Sequence, residues 1–263
     1  MSLSEFSQEP KPTHGVGSAR KALQMLLCFT PENPRRTPSE LAGQLELSIA
    51  TTYRHVSLFR EMGLVEDAPD SRIQLTPRVL PIARAAMAVQ DAVSVAAPYL
   101  YVLADEVEET VMLTRQAGSV AVVMFSLPST HALRLDFSIG HTFTFGAGAT
   151  TRMLLAMMAP AERDRYLKTI QDAAQPEPSE LDRIAQKGWA SSQEELEAGV
   201  WACAAGLSLD GQPPMTITVA GPQFRLNEQR RKRVIDKATR TAADIAKSWS
   251  ADIGIQTALT MEG

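Results

Sequence analysis

The chain has 263 residues, 44% of them hydrophobic, a formal net charge of −4 and two cysteines, Cys28 and Cys203. That length is enough for about two domains of roughly 100–150 residues, each with its own core. The totals exclude a disulfide-stapled fold, a reducing cytoplasm being expected instead, and exclude a protein that holds nucleic acid by bulk positive charge. No stretch reaches the ~20 apolar residues of a membrane span. The opening residues are polar, lack the apolar core of a signal peptide, and read as a disordered tail over residues 1–15.

In chain order, the first helix is expected over residues 18–29, with Ala22, Leu23, Leu26 and Leu27 as its inner stripe and Met25 and Phe29 extending it. A loop over residues 30–36 carries Pro31, Pro34, Arg35 and Arg36. Thr37-Pro38-Ser39-Glu40 is then a capping box with proline at the first helical position. Leu41, Ala42 and Leu45 give that short helix an apolar face. Ser48 caps a second helix over residues 49–62, which Gly63 ends in a left-handed conformation. Two helices about a tight corner form a helix-turn-helix, whose second helix enters the DNA major groove. Two short apolar runs around Ala68-Pro69-Asp70-Ser71 follow, a β-hairpin in the position of a wing.

Thr76-Pro77 opens an alanine-rich linker helix over residues 78–91. The next helix covers residues 92–107, with Pro98 at a break or early in a new helix. From Thr110 the texture becomes β-branched. Strands are expected over residues 110–116, 120–125 and 132–137, with residues 139–145 extended. Helices follow over 146–159, 160–170 and 179–187, then strands over 201–209 and 215–220. A last helix from Asn227 to Ser250 buries Val234, Ala238, Ala242, Ile245 and Trp249. The second half is therefore α+β, with helices attached to an antiparallel sheet.

The exposed N-terminal face of the second short helix carries Thr51, Thr52, Tyr53 and Arg54, with Ser57 one turn on. Arg54 is the base reader, because a guanidinium pairs with guanine in bidentate fashion. Hydroxyls at Thr51 and Tyr53 suit phosphates or base edges. Arg72 in the wing reaches the minor groove or a phosphate, and Arg35 and Arg36 suit phosphates. Up to Arg78, nine basic residues meet nine acidic ones, so affinity depends on positioned contacts and two-fold avidity. A helical hairpin used only for packing, or a winged helix used as a protein-interaction surface, stays open on these residues alone.

Elsewhere, His131 and His141 lack the Cys, Asp or Glu neighbours of a metal set. Cys203 is a packed strand residue with no basic partner, and Met153, Met157 and Met158 fill core. The run Arg230-Arg231-Lys232-Arg233 is a solvated helix face or a weak second DNA contact. In residues 215–220, Thr216, Thr218 and Ala220 share one face, which is either solvent or pocket. With no triad, phosphate loop or metal cluster, an enzyme carrying a helical N-terminal appendage is the rival from another class.

The sequence resembles the IclR family of bacterial transcriptional regulators from Val16 to Ala251. Four stretches carry the likeness. They are Ser18-Ala19-Arg20-Lys21-Ala22-Leu23 with the helix-turn-helix and wing; Glu109-Thr110-Val111-Met112-Leu113; Ile139-Gly140 through Arg152-Met153-Leu154-Leu155-Ala156; and Glu194-Glu195-Leu196-Glu197-Ala198-Gly199-Val200 with Ala204-Ala205, Val219-Ala220-Gly221-Pro222 and Arg225. The resemblance implies an N-terminal winged helix-turn-helix DNA-binding domain (16–77), a linker helix (78–91), a C-terminal GAF-like antiparallel-sheet effector-binding and oligomerisation domain (92–252), and a C-terminal tail (253–263). It implies a homodimer or homotetramer that binds operator DNA as a repressor, answers a small-molecule effector, and uses no cofactor, metal or membrane.

Carried over position by position, the effector pocket includes Ala149, Ser192, Ala202, Thr218 and Ala220. The chain departs from the family pattern nearby. Gly146-Ala147 stands where His-Ala is frequent, Thr151-Arg152 where Gly-Lys is usual, Ala202 where a cysteine is frequent, and Gly206 where a proline is usual. The implied effector is a small, partly apolar organic acid or aromatic compound held partly by backbone amides.

Overall fold

A computed structural model describes residues 15–88, 91–170 and 175–261. The expected N-terminal tail thus falls almost wholly outside the described residues. The backbone contacts divide the chain into two units that part between Gln90 and Asp91.

The first unit contains α1 (Gly17–Leu26), β1 (Arg35–Arg36), α2 (Pro38–Gln44), α3 (Ile49–Glu61), β2 (Val65–Ala68), β3 (Arg72–Leu75), a 3-10 turn (Pro77–Val79) and α4 (Leu80–Ala88). The capping box forms as expected: Thr37 Oγ1 accepts from the Glu40 amide at 3.2 Å, and Glu40 accepts from the Thr37 amide at 2.9 Å. The wing is the β2–β3 hairpin, with Asp70 and Ser71 both at positive φ in its tip. Arg35 and Arg36, expected in a loop, add a third strand in the order β1-β3-β2. Met25, Leu41, Val56, Phe59 and Ile73 centre the core. Burying side chains of this size contributes about 1.5–3 kcal/mol each.

The α1 stripe differs from expectation. Ala22, Met25 and Cys28 are buried, whereas Leu23 and Leu27 are 63% and 79% exposed. At about 100° per residue, positions 23 and 27 point to the side of the helix nearly opposite the face carrying 22, 25 and 28.

The second unit contains α5 (Asp91–Val107), β4 (Thr110–Ala117), β5 (Val120–Leu127), β6 (Thr142–Thr144), α6 (Ala149–Met157), α7 (Pro160–Thr169), α8 (Pro178–Lys187), β7 (Trp189–Gln193), β8 (Val200–Leu207), β9 (Met215–Pro222), a 3-10 turn (Gln223–Arg225) and α9 (Glu228–Met261). One antiparallel sheet runs β6-β5-β4-β9-β8-β7. Helices α5 and α9 cover one face through Leu100, Leu103, Val234, Ala238 and Ile245. Helices α6 and α8 cover the other through Leu154, Leu155, Leu181 and Ile184. Every residue of β9 is therefore buried, which removes solvent as the reading of the Thr216/Thr218/Ala220 face. Helix α5 runs unbroken through Pro98.

Four further expectations change. Residues 132–137 do not form a strand, because β5 pairs with β6 instead. Side chains strap that segment down: Thr110 Oγ1 donates to the Leu135 carbonyl at 2.6 Å, and Arg225 Nη1 donates to the Leu133 carbonyl at 2.8 Å. Helix α6 begins at Ala149, not at residue 146, since Gly146 and Gly148 hold positive φ. Strand β7 is unexpected, because it lacks the β-branched residues that announce a strand. Finally, α9 continues to Met261, so residues 253–261 are helix where a tail was expected. That stretch has no proline, and alanine, leucine and methionine favour a helix. Among the described residues no single helix is long and apolar enough to cross a membrane.

Candidate functional site

The first unit presents one outward helix face. Ser48 Oγ accepts from the Thr51 amide at 3.2 Å and donates to Thr51 Oγ1 at 2.9 Å, so the start of α3 is capped. Arg54 Nη2 donates to the same Thr51 Oγ1 at 3.1 Å. Thr51 thus aims Arg54 rather than standing free. Tyr53, Arg54 and Ser57 are exposed along this face. Substituting Ser48 with alanine is expected to cost about 1 kcal/mol of stability, read from urea unfolding, by removing the cap of the reading helix.

Three residues expected to touch DNA are engaged elsewhere. Thr52 is fully buried with His55, Val56 and Phe59, and its hydroxyl donates to the Ser48 carbonyl at 3.2 Å. Positions 52, 55, 56 and 59 form the inner stripe of α3, so Thr52 cannot reach DNA. Arg36 bonds the Cys28 carbonyl at 3.3 Å, Gln44 at 2.8 Å and Glu40 at 3.5 Å, stitching β1 to α1 and α2. Arg72 donates to the Arg35 carbonyl at 3.1 Å and lies 3.8 Å from Glu40. The Thr37 amide, with Arg72 and Arg36 beside it, holds the Glu40 carboxyl below its ordinary range. Arg35 is exposed, with its Nε on Gln74 at 3.0 Å.

The second unit holds a cavity of about 480 Å³ on the α6 side of the sheet. Ala149, Ser192, Ala202, Thr218 and Ala220, the five positions implied by resemblance, all line it. The strand register explains the convergence: Ser192 pairs with Ala202, Ala202 with Ala220, and Thr218 with Met112, so they run as a band across four strands. Thr218 Oγ1 lies 2.9 Å from Thr150 Oγ1 on α6. The remaining wall is not foreseen from the sequence. It comes from the irregular segment 134–141, with Arg134, Asp136, Phe137 and His141, from Phe143 of β6, and from Glu195, Leu196 and Glu197. Irregular backbone has no periodicity to betray it. Phe137, His141 and Phe143 pack ring against ring at 4.8–5.5 Å, and the exposed Arg134 and Asp136 line the same cavity.

Two backbone amides of this wall already have acceptors within the protein. The Gly148 amide donates to Glu195 Oε2 at 2.9 Å, and the Ala149 amide donates to Ser192 Oγ at 3.1 Å. A helix start in a cavity wall leaves N–H groups that must find acceptors, and the protein supplies its own.

Other residues take structural roles. Burial pushes the Cys203 thiol up to about 12, so it remains a protonated core residue. No group of three potential metal ligands occurs among the described residues. Arg230 and Arg231 of the basic run in α9 are tied to their own unit, while Lys232 lies on the exposed face. Arg230 bonds the Val107 carbonyl at 3.0 Å, Arg231 bonds the Leu226 carbonyl at 2.7 Å and lies over the Trp201 ring, and Lys232 pairs with Glu228 at 2.8 Å.

Comparisons with known proteins agree with this architecture. A profile of the IclR helix-turn-helix domain matches residues 18–69, and one of the bacterial transcriptional regulator IclR C-terminal domain matches residues 84–247. The HTH-type transcriptional regulator KipR of Bacillus subtilis is 27% identical over 86% of this chain and 94% of its own. The DNA-binding transcriptional repressor YiaJ of Escherichia coli is 25% identical over 92% and 91%. An IclR-family transcriptional regulator from Brucella abortus superposes with a TM-score of 0.77 at 23% identity, covering 89% of this chain and 93% of that one. An IclR homologue from Microbacterium hydrocarbonoxydans, crystallised with 4-hydroxybenzoate, gives 0.69 at 19% identity, over 89% and 100%.

Proposed function

The chain belongs to the IclR family of bacterial transcriptional regulators and is a DNA-binding regulator, not an enzyme, and on that premise we propose that it is a cytoplasmic repressor whose α6-side cavity senses a small aromatic or partly apolar organic acid. In this reading the winged helices of a homodimer or homotetramer grip two half-sites, and ligand entry changes operator affinity. The observation that carries it is the convergence of Ala149, Ser192, Ala202, Thr218 and Ala220 on one cavity of ligand size. Phe137 and Phe143 offer ring contacts, Thr218 and Ser192 offer hydroxyls, and Arg134 in the lining offers a cation for an acid group. The relative named as a repressor supports repression, and the homologue crystallised with 4-hydroxybenzoate supports an aromatic acid.

The test is a thermal-shift screen of small aromatic and aliphatic acids, 4-hydroxybenzoate among them, followed by gel shifts with the DNA upstream of the protein's own gene. A true ligand at 100 times its Kd stabilises by about 2.7 kcal/mol, a rise of roughly 5–10 °C. Replacing Ala202 with phenylalanine fills the cavity and is expected to abolish that rise while operator binding persists. A response confined to large, highly charged compounds, or an A202F protein that still responds fully, contradicts the reading.

A further inference from the structure

One loop of the cavity wall is fastened to the start of α6. Residues 194–199 join β7 to β8, and the base of this loop is clasped. Glu194 and Gly199 both hold positive φ, and Glu194 Oε1 accepts from the Gly199 amide and from Gln223 Nε2, each at 2.9 Å. The tip is held differently. Glu195 reaches across to α6, where one carboxylate oxygen takes the Gly148 amide at 2.9 Å and the other takes Arg152 Nη1 at 2.8 Å. Leu196 follows it and lies directly on Gly148, where even a Cβ would come within 2.8 Å of its side chain. Glu195, Leu196 and Glu197 all line the cavity.

We infer that the 194–199 loop is a lid, and that the Glu195 carboxylate is the latch that closes it over the ligand cavity. Glu195 supplies the tip's charged contacts with α6, whereas Leu196 is 57% exposed and the Glu197 carbonyl accepts from the Val200 amide at the start of β8. The far side of the latch is built to survive opening. Arg152 also pairs with Glu180 of α8 at 3.3 Å, so when Glu195 leaves, the guanidinium keeps a carboxylate partner and no buried charge is stranded. Gly148 is the tip-side contact that favours glycine: it holds a φ of +86°, and a side chain there would displace Leu196. Opening therefore costs one charge-assisted hydrogen bond and one part-exposed ion pair, which places the lid among the low-stability parts of the unit. The functional meaning of the lid rests on the cavity being the ligand site, whereas its existence does not.

Amide hydrogen exchange of the full-length protein, without ligand, tests the latch. In E195A, peptides covering 194–199 and the amides that begin α6 are expected to exchange roughly tenfold faster, as loss of one charged hydrogen bond dictates. E195Q keeps an acceptor for Gly148 but loses the charge opposite Arg152, and falls between. Exchange in β9 and the middle of α9 stays unchanged. Unchanged lid exchange in both variants overturns the inference, as does acceleration spread evenly through the unit. If E195A fails to fold, E195Q decides by the same comparison. Because no ligand enters the experiment, its failure is separate from failure of the thermal-shift screen.

Discussion

Replacing Arg54 with alanine is expected to weaken operator binding by on the order of 5- to 150-fold for each head that loses a bidentate base pairing, and by on the order of 30-fold or more for a protein reading two half-sites. The expectation follows from how little else the face offers. The first unit is nearly neutral in charge, Thr52 is buried, Arg36 is committed to its own fold, and Arg72 bends back onto β1. Arg54 remains on the exposed face of α3, held by Thr51 at 3.1 Å. Stability should change little, since the side chain is exposed and alanine favours helix. Gel shifts at fixed salt measure the loss, and circular dichroism and sedimentation check fold and assembly. Arg35→Ala is the control: loss of this exposed cation is expected to weaken binding to all sequences alike and to reduce the salt slope by about one per head, as loss of a phosphate contact does. Unchanged binding by the Arg54 variant would remove that residue from the reading surface.

Glu109→Ala is expected to destabilise the second unit by about 3–5 kcal/mol. Glu109 is 1% exposed and accepts both prongs of Arg225, Nε at 2.9 Å and Nη2 at 2.7 Å. These bonds raise the guanidinium of Arg225 further above its ordinary range; without Glu109 that support is lost, but a guanidinium does not give up its proton in a protein, so a charge is left without its partner. The pair sits against Gly221, where a Cβ would come within 2.4 Å of the carboxylate. The same arginine holds the Leu133 carbonyl and so the segment that becomes the cavity wall. Urea unfolding measures the cost. A companion variant lacking both charges, Glu109→Ala with Arg225→Met, should recover part of it, because the stranded charge carries most of the penalty. Equal losses in the single and double variants would mean that packing around Glu109, not charge, sets the stability.

Much of the fold is legible in the chain alone. The capping box, the Ser48 cap, the Gly63 terminator and the hairpin tip are local chemistry, and local chemistry survives into the fold. The alternation in β9 places Thr218 and Ala220 on one face, which the structure keeps. What misleads is also physical. Leu23 and Leu27 look like core by type but lie off the buried stripe of α1. Thr52 looks like a reading residue by type but turns inward one position from Thr51. Residues 132–137 alternate like a strand, yet the slot beside β5 goes to β6, and Thr110 and Arg225 fasten the segment as irregular wall.

The sequence by itself determined the reading head, because caps, turns and helix faces depend on neighbours three or four residues apart. It also determined the family, from the order and spacing of its four matching stretches. Only the tertiary structure decided which arginines are committed to contacts within their own unit and what fastens the 194–199 loop to α6. Arg36 is held by Cys28 and Gln44, and Glu195 reaches Gly148 across forty-seven positions of chain. Such pairings depend on where the sheet sets its loops, and no local pattern in the chain records them.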